Sequence, residues 1–148
     1  MSSYRQILYH LIIRTKDNQK TLVLEHSNEL YAYLGGIIRN KGCFPYEING
    51  MHEHIHILSD LHPSIALSDL LRDLKTASSR WLKQNRNFPY FIGWSDGYGA
   101  FTYSFSELEI KKRYVRNQRE HHAKFNFLEE YRALLKEHNV IIDEKYFP

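Results

Sequence analysis

Stretches of apolar residues alternate with polar breaks along the chain, and their spacing predicts the secondary structure of its first half. Residues 7–15 are rich in isoleucine and leucine and predict a buried strand. A stripe of apolar residues at helical spacing predicts a helix capped by Ser27 or Asn28. Residues 44–51 and 54–61 predict two strands joined by a tight turn, which is an antiparallel hairpin.

The second half of the chain predicts a long helix, a short strand and two C-terminal helices. The long helix covers about residues 66–84, with leucines along one face. A polar break and a glycine-bearing aromatic loop separate it from a strand at residues 101–105. Ser106 and Glu109 have the spacing of a capping box, which opens the next helix. A last amphipathic helix begins near Phe127.

The order of these elements, β-α-β-β-α-β followed by C-terminal helices, predicts an α+β fold of the ferredoxin-like sandwich type. In such a fold helices cover one face of an antiparallel sheet, and here a C-terminal tyrosine-bearing helix is added. The chain has 148 residues, of which 43% are hydrophobic, and this suffices for one core. Since no repeat, linker or low-complexity tract interrupts it, residues 1–148 are predicted to be a single domain.

Hydropathy and cysteine content restrict the setting in which the protein works. The apolar stretches are too short to span a bilayer, and the N-terminus lacks the charged-then-apolar order of a signal peptide. Cys43 is the only cysteine, which excludes an intrachain disulfide and a cysteine-based zinc site. We therefore expect a cytoplasmic protein with no membrane partner.

The net charge is only +3, but the basic residues are clustered. Residues 111–124 contain six Lys or Arg side chains against one acid, and residues 72–86 contain five against one. Such clusters are typical of a phosphate-binding surface, although a solvated helix face is an equally good interpretation of either segment alone. Helical spacing places the basic side chains of the second segment in a ridge away from its apolar face: Arg72, Lys75, Lys83 and Arg86.

His54 and His56 are one residue apart on an apolar run. On a strand both imidazoles would point the same way, while Ile55 would point into the core. The pair could supply two nitrogen ligands to a metal, with the amide oxygen of Gln118 as a third, and these neutral ligands would leave the charge of the cation to a phosphodiester. Two unconnected, exposed histidines are the alternative. Glu53 is either a carboxylate that orients a ligand or a plain turn residue.

Tyr114 is the candidate nucleophile, and it lies four residues before Gln118, so the two would share one helix face. A phenol has a pKa of about 10 and needs help to react near neutrality. A nearby divalent cation, together with Lys112, Arg113 and Arg116, would favour the phenolate. Packing or surface decoration is the ordinary role of a tyrosine, and the spacing to Gln118 within a basic segment sets this one apart.

Two more histidines, His121 and His122, follow on nearly the same helix stripe. They could contact phosphate, carry protons or replace Gln118 as a ligand, or they are ordinary surface histidines. His10 on the first strand is most simply a packed histidine. The chain contains no phosphate-binding glycine loop, so we expect no nucleotide cofactor.

These motifs resemble those of a known enzyme family. His54-Ile55-His56 is similar to the His-hydrophobe-His motif of the HUH endonucleases, and residues 114–118, Tyr-Val-Arg-Asn-Gln, resemble the tyrosine helix of the single-tyrosine transposases of minimal bacterial insertion sequences, the IS200-like family. Comparable segments extend from Tyr9-His10-Leu11 to Gly97-Tyr98-Gly99-Ala100, so the resemblance covers nearly the whole chain. One departure is His52-Glu53, where the family usually has Pro-Asp.

The resemblance implies that Tyr114 is the nucleophile and that His54, His56 and Gln118 hold Mg²⁺ or Mn²⁺. Such enzymes cleave single-stranded DNA at element ends, which forms a 5′-phosphotyrosine and a free 3′-hydroxyl, and they recognise DNA hairpins near those ends. They work as homodimers in which the tyrosine helix of one subunit can complete the site of the other. The candidate DNA-binding residues are the basic side chains of two helices: Arg72, Lys75, Lys83, Arg113 and Arg116.

Two other interpretations fit the same residues. One is a domesticated, non-transposing HUH protein that binds single-stranded DNA hairpins, against which the intact four-residue site argues. The other is a related HUH nuclease for replication initiation or repeat-element processing, which the small size and the lack of a helicase or accessory domain make less favourable. The sequence leaves open whether the tyrosine acts in cis or in trans.

Overall fold

The computed structural model describes residues 3–147, and a four-stranded antiparallel sheet lies at its centre. The strands are β1 (Tyr9–Arg14), β2 (Pro45–Gly50), β3 (His54–Ser59) and β4 (Gly99–Thr102), in the order β2-β3-β1-β4. The helices are α1 (Ser27–Asn40), α2 (Leu67–Lys83), α3 (Leu108–Arg116), α4 (Gln118–His121) and α5 (Phe127–Glu137). The predicted α+β ferredoxin-like sandwich is confirmed. Within residues 3–147, none of the helices is long and apolar enough to cross a membrane.

The two faces of the sheet bury different kinds of side chain. Ile55 and Ile57 of β3 belong to the main apolar core, which α1 and α2 cover. Because side chains alternate along a strand, His54 and His56 point to the opposite face. There β3 packs against α3, and a smaller apolar cluster that includes Phe127 attaches α5 to β1 and β4. The histidine face is thus covered by the C-terminal helices.

The start of α1 differs from the sequence prediction. Ser27 is the first residue of α1, and His26, at the N-cap position, makes no side-chain cap. The Ser27 hydroxyl instead accepts a hydrogen bond from Nη2 of Arg119 at 2.6 Å. The predicted cap by Ser27 or Asn28 is therefore wrong, because a tertiary contact uses the hydroxyl.

The strand predicted at residues 101–105 is displaced toward the N-terminus. The observed β4 begins at Gly99, and Phe105 lies in a 3₁₀ turn after the strand. A Cβ atom at Gly99 would lie 3.0 Å from Oη of Tyr131, so the glycine allows α5 to pack closely against the sheet. The strand can therefore start at a residue that propensity alone disfavours.

The predicted capping box of Ser106 and Glu109 does not form. The N-cap of α3 is Glu107, and it makes no side-chain cap hydrogen bond. The backbone N–H of Glu107 donates to the carbonyl of Ser104 at 2.9 Å and closes the 3₁₀ turn that precedes the helix. A backbone hydrogen bond in this turn thus precedes the helix, in place of the predicted side-chain hydrogen bonds of Ser106 and Glu109.

Tyr114 and Gln118 lie on two short helices and not on one. The α3 helix ends at Arg116, Asn117 has φ −93° and ψ 20°, and α4 begins at Gln118. From β2, the side-chain amide of Asn49 donates to the last two carbonyls of α3, at 3.1 and 2.8 Å. The carbonyls at the end of a helix need hydrogen-bond donors from outside the helix, and here a side chain of β2 provides them. A tertiary contact therefore stabilises the end of α3.

Candidate active site

Four side chains that the sequence singled out meet on the histidine face of the sheet. Nε2 of His54 lies 3.1 Å from Oε1 of Gln118, and the ring centroids of His56 and Tyr114 are 5.7 Å apart. His54, His56 and Gln118 are fully buried, with 0% of their surface exposed. The histidines are therefore not the exposed, unconnected pair of the alternative interpretation.

Glu130 of α5 lies at the centre of the site, and the sequence interpretation missed it. Its carboxylate accepts hydrogen bonds from the Tyr114 hydroxyl and, at 2.9 Å, from Nε2 of Gln118. Its Oε1 lies 3.0 Å from Nε2 of His56. A signal was present, because the spacing of Phe127, Glu130 and Leu134 places a carboxylate within the apolar stripe of α5. A charge in such a stripe needs buried partners.

Each strand histidine is held from behind by a second side chain. Nδ1 of His54 lies 2.6 Å from Oε1 of Glu53, and Nδ1 of His56 lies 2.6 Å from Nε2 of His10. Such partners fix the orientation of metal-binding imidazoles in proteins. Both Nε2 atoms consequently face the centre of the site. The Glu53 carboxylate contacts the opposite, Nδ1 side of the His54 ring. His10 is packed, as expected, and is also part of this network.

His121 and His122 lie against the carboxylate of Glu130. Nε2 of His122 is 3.1 Å from Oε1 of Glu130, and Nε2 of His121 is 3.4 Å from Oε2. The potential ligand atoms of His54, His122 and Glu130 all lie within 4.8 Å of one another. Imidazole nitrogens and a carboxylate oxygen at these separations fit a divalent metal.

The electrostatic state of the site follows from burial and from the carboxylate. Burial opposes the charge on Glu130, but hydrogen bonds from the surrounding histidines outweigh it and hold the pKa of Glu130 far below its ordinary range. Burial also opposes the charged form of His54, whose bonds to two carboxylates nevertheless raise its pKa. For His56 burial prevails and lowers the pKa to about 4. Burial and the adjacent Glu130 raise the pKa of Tyr114, so the phenol holds its proton here.

The basic residues near Tyr114 in the sequence contact carboxylates or solvent and not the phenol. Lys112 lies 3.9 Å from a carboxylate of its own helix, and Arg116 lies 3.3 Å from Glu47 of β2. The Arg113 side chain is exposed. The charged group in contact with the phenol is instead the carboxylate of α5. These contacts do not support the expected stabilisation of a phenolate by neighbouring cations.

The predicted basic ridge of α2 does not form one surface. Arg72 is exposed and pairs with two carboxylates of its own helix, at 3.1 and 3.2 Å. The ammonium group of Lys75 donates to the carbonyls of Ser95, at 2.9 Å, and Gly97. Lys75 and Lys83 line a large groove, from which Arg72 is absent. The ridge is divided because the loop that follows α2 folds back over part of it.

A cavity of about 510 Å³ opens beside the phenol. Its lining includes Tyr114, Glu130 and His121 from the site, together with Lys111 and Tyr103. The cavity therefore gives a molecule in solution access to Tyr114. A phosphate placed there would meet the phenol and the carboxylate together.

The chain matches the profile of a described protein family. The family "Transposase IS200 like" matches residues 3–118, a range that includes His54, His56, Tyr114 and Gln118 and ends before Glu130. Among curated proteins, none matches this chain.

Two solved structures are similar to the chain. One is a transposase candidate from Deinococcus radiodurans R1, with 28% sequence identity and a TM-score of 0.58 over 80% of this chain and 95% of that one. The other is a REP-associated tyrosine transposase bound to a REP hairpin, with 14% identity and a TM-score of 0.60 over 82% of this chain and 74% of that one. At that identity the second likeness concerns the fold alone.

Proposed function

Because the chain belongs to the IS200-like transposase family, we propose that it cleaves and rejoins single-stranded DNA at the ends of an insertion sequence. One observation carries this proposal. The phenol of Tyr114 and the imidazoles of His54 and His56 converge on the single carboxylate of Glu130. A nucleophile therefore lies next to a group of side chains that can hold a divalent cation, which is the combination that phosphodiester cleavage by tyrosine requires.

In the proposed reaction Oη of Tyr114 attacks the phosphorus of a phosphodiester. The bond from phosphorus to the 3′-oxygen breaks, the 5′-phosphate becomes linked to the tyrosine, and the 3′-oxygen leaves as a hydroxyl. The phenol loses one proton and the leaving oxygen gains one, and Glu130 is the acceptor already in contact with the phenol. Rejoining reverses these steps with an incoming 3′-hydroxyl. The energy of the bond is conserved in the phosphotyrosine, so no nucleotide is needed.

We propose that His54, His56, Gln118 and Glu130 hold the metal, with Mg²⁺ or Mn²⁺ as the ion. When bound, such a cation acts as a Lewis acid on a phosphate oxygen. Geometry supports this donor set, because the Nε2 atoms of His56 and His54 lie 3.0 and 3.5 Å from Oε1 of Glu130, and Nε2 of His54 also lies 3.1 Å from Oε1 of Gln118. The amide nitrogen of Gln118 donates to Glu130 and thereby turns Oε1 toward His54. Glu53 holds the His54 ring from behind.

The proposed partner is single-stranded DNA with hairpins at the element ends. We propose that a homodimer of this chain binds it. A structural neighbour was solved with a REP hairpin, which supports a hairpin ligand for this fold. The clustered positive charge of residues 111–124 is consistent with a polyanionic partner. Arg113 and Arg116 are exposed on α3 and remain candidates for DNA contact.

The test is the covalent adduct. Purified protein is incubated with single-stranded DNA of its element end and Mg²⁺ or Mn²⁺, and the products are separated on a denaturing gel. We expect an adduct with wild type, none with Tyr114→Phe, and wild-type amounts with Tyr90→Phe, whose ring is 72% exposed. An absent adduct in wild type, or an equal one in Tyr114→Phe, contradicts the proposal.

The alternative function is that of a non-transposing hairpin binder or repeat-element nuclease. The likeness to a hairpin-bound structure is the observation that favours it. The same gel distinguishes the two, because a transposase must also join the 5′-phosphotyrosine to a second 3′-hydroxyl. Binding on a native gel without any adduct on the denaturing gel indicates the hairpin binder, and cleavage without joining indicates the nuclease.

A further inference from the structure

A groove of about 970 Å³ lies at the edge of the sheet where β1 ends, and the proposed reaction does not use it. Its walls come from β1, α2, the loop at residues 92–98 and α5. We propose that this groove binds a short stretch of single-stranded DNA apart from the scissile phosphate. The inference rests on the proposed function, and it locates a part of the substrate that the catalytic side chains do not touch.

The charge of the groove favours a polyanion. Four cationic side chains line it against two carboxylates, which leaves a net positive charge along its length. Lys16 and Lys83 are exposed there, so their ammonium groups can reach phosphates in the groove. The cationic residues are Arg14, Lys16, Lys75 and Lys83, and the acidic residues are Asp17 and Asp96.

Lys75 shapes the groove and does not simply add charge to it. Its ammonium group is bonded to the carbonyls of Ser95 and Gly97, so it ties α2 to the loop that forms the opposite wall. Gly97 has a φ of +77°, which suits the tight bend of this loop. The loop is thus held in one position, and the groove exists before any ligand arrives.

The aromatic lining explains why the ligand is single-stranded. The groove is lined by Trp94, Tyr98, Tyr131 and Tyr146, and the Tyr98 ring is 41% exposed. The indole N–H of Trp94 donates to the Ser78 hydroxyl at 3.0 Å, so this ring is a fixed wall. Unpaired bases stack on such rings, whereas the bases of a duplex are already stacked and cannot. Cationic and aromatic side chains in one groove are the usual combination for single strands.

The groove and the catalytic site share one wall. The Phe127 ring stacks on His54 with centroids 4.2 Å apart, and Tyr131 stacks on Phe127 at 5.5 Å. Tyr131 in turn faces the groove, while Glu130 lines the cavity beside the phenol. The two binding regions therefore lie on opposite sides of α5, and DNA that occupies both passes around this helix.

Fluorescence anisotropy with a fluorescein-labelled oligothymidylate of about 15 nucleotides tests the groove. The titration is done in EDTA, so no cleavage occurs, and at several salt concentrations. The double variant Lys16→Ala, Lys83→Ala is expected to lower the slope of log K against log salt by about 1.4, since each lost phosphate contact on a single strand accounts for about 0.7. Tyr98→Ala is expected to weaken binding about 5-fold or more through lost stacking.

Arg80→Ala is the matched control, because Arg80 is an exposed basic residue of the same helix that lies outside the groove. We expect its salt slope and affinity to equal those of wild type. A wild-type slope in the double variant, or an equal loss in Arg80→Ala, overturns the assignment. Tighter binding of an oligouridylate than of the oligothymidylate also overturns it, because the ligand would then be RNA.

The adduct assay separates this inference from the proposed function. If the groove variants bind like wild type while Tyr114 still forms an adduct, only the groove assignment is wrong. If wild type forms no adduct while the groove variants lose affinity for the oligothymidylate, the transposase proposal is wrong and the groove assignment stands. Circular dichroism melting confirms that each variant is folded.

Discussion

At the scale of the residue, Glu130 joins the nucleophile to the proposed metal ligands. Its two oxygens contact Tyr114 on one side and His56 on the other. Burial and, after it, the negative charge of Glu130 raise the pKa of the phenol, so the phenol keeps its proton. If Glu130 held the proposed cation, the positive charge of that cation would oppose this effect on the phenol.

The first prediction concerns the charge of this residue. Glu130→Gln keeps the size and one acceptor oxygen of the side chain but removes its charge. We expect its Kd for Mn²⁺, measured by isothermal titration calorimetry, to rise about tenfold or more, as for loss of a supporting ligand in other metal sites. Glu129→Gln is the control, because this neighbour is exposed and its carboxylate accepts a hydrogen bond from Asn126 and from no residue of the proposed metal site. Equal Mn²⁺ affinities of the two variants contradict the proposed ligand set.

At the scale of the element, the break between α3 and α4 positions two functional groups at once. Tyr114 precedes it and Gln118 follows it, so the angle between the helices sets the distance from the phenol to the amide oxygen. Asn49 holds the end of α3 through two hydrogen bonds. We therefore predict that metal binding and placement of the nucleophile both depend on this contact between β2 and α3.

Asn49→Ala is predicted to impair both functions together. Loss of the two hydrogen bonds leaves the last carbonyls of α3 without this partner, and we expect a loss of stability of about 1–2 kcal/mol. The Mn²⁺ affinity and the rate of adduct formation should both fall relative to Asn87→Ala, a variant that removes an exposed bond to Glu29. A lower melting temperature with unchanged affinity and rate shows that the break is not what places these groups.

At the scale of the whole molecule, one chain supplies the complete site. The histidines come from β3, the phenol from α3, the amide from α4 and the carboxylate from α5. Arg116 of α3 also pairs with Glu47 of β2, which ties the tyrosine helix to its own sheet. We therefore predict that the tyrosine acts in cis.

Mixing two inactive variants tests action in cis. We expect no adduct when Tyr114→Phe is mixed with His56→Asn, because neither chain then contains both a nucleophile and an intact histidine pair. Wild type mixed with Tyr114→Phe is the control for interference between chains, and analytical ultracentrifugation reports whether the mixture is dimeric. An adduct on the His56→Asn chain in the mixture would show that its tyrosine serves the partner.

Parts of the site follow from local pattern, and parts do not. Strand alternation suffices to place His54 and His56 on one face with Ile55 in the core. The prediction that Tyr114 and Gln118 share one helix was wrong. The contact that ends α3 comes from Asn49, which lies in a strand 66 residues earlier in the chain. Glu130 was missed for a similar reason: its stripe position is visible in the sequence, but its partners are not.

The sequence by itself determined the number and order of the strands and the face that carries the histidines, because alternation and helical periodicity are properties of neighbouring residues. Only the tertiary structure decided that Glu130 joins Tyr114 to the histidines, that Asn49 ends α3 and that Arg116 pairs with Glu47. Each of these contacts depends on how helices pack against the sheet. That packing is the sum of many weak contacts between residues far apart in the chain, which no short stretch of sequence encodes.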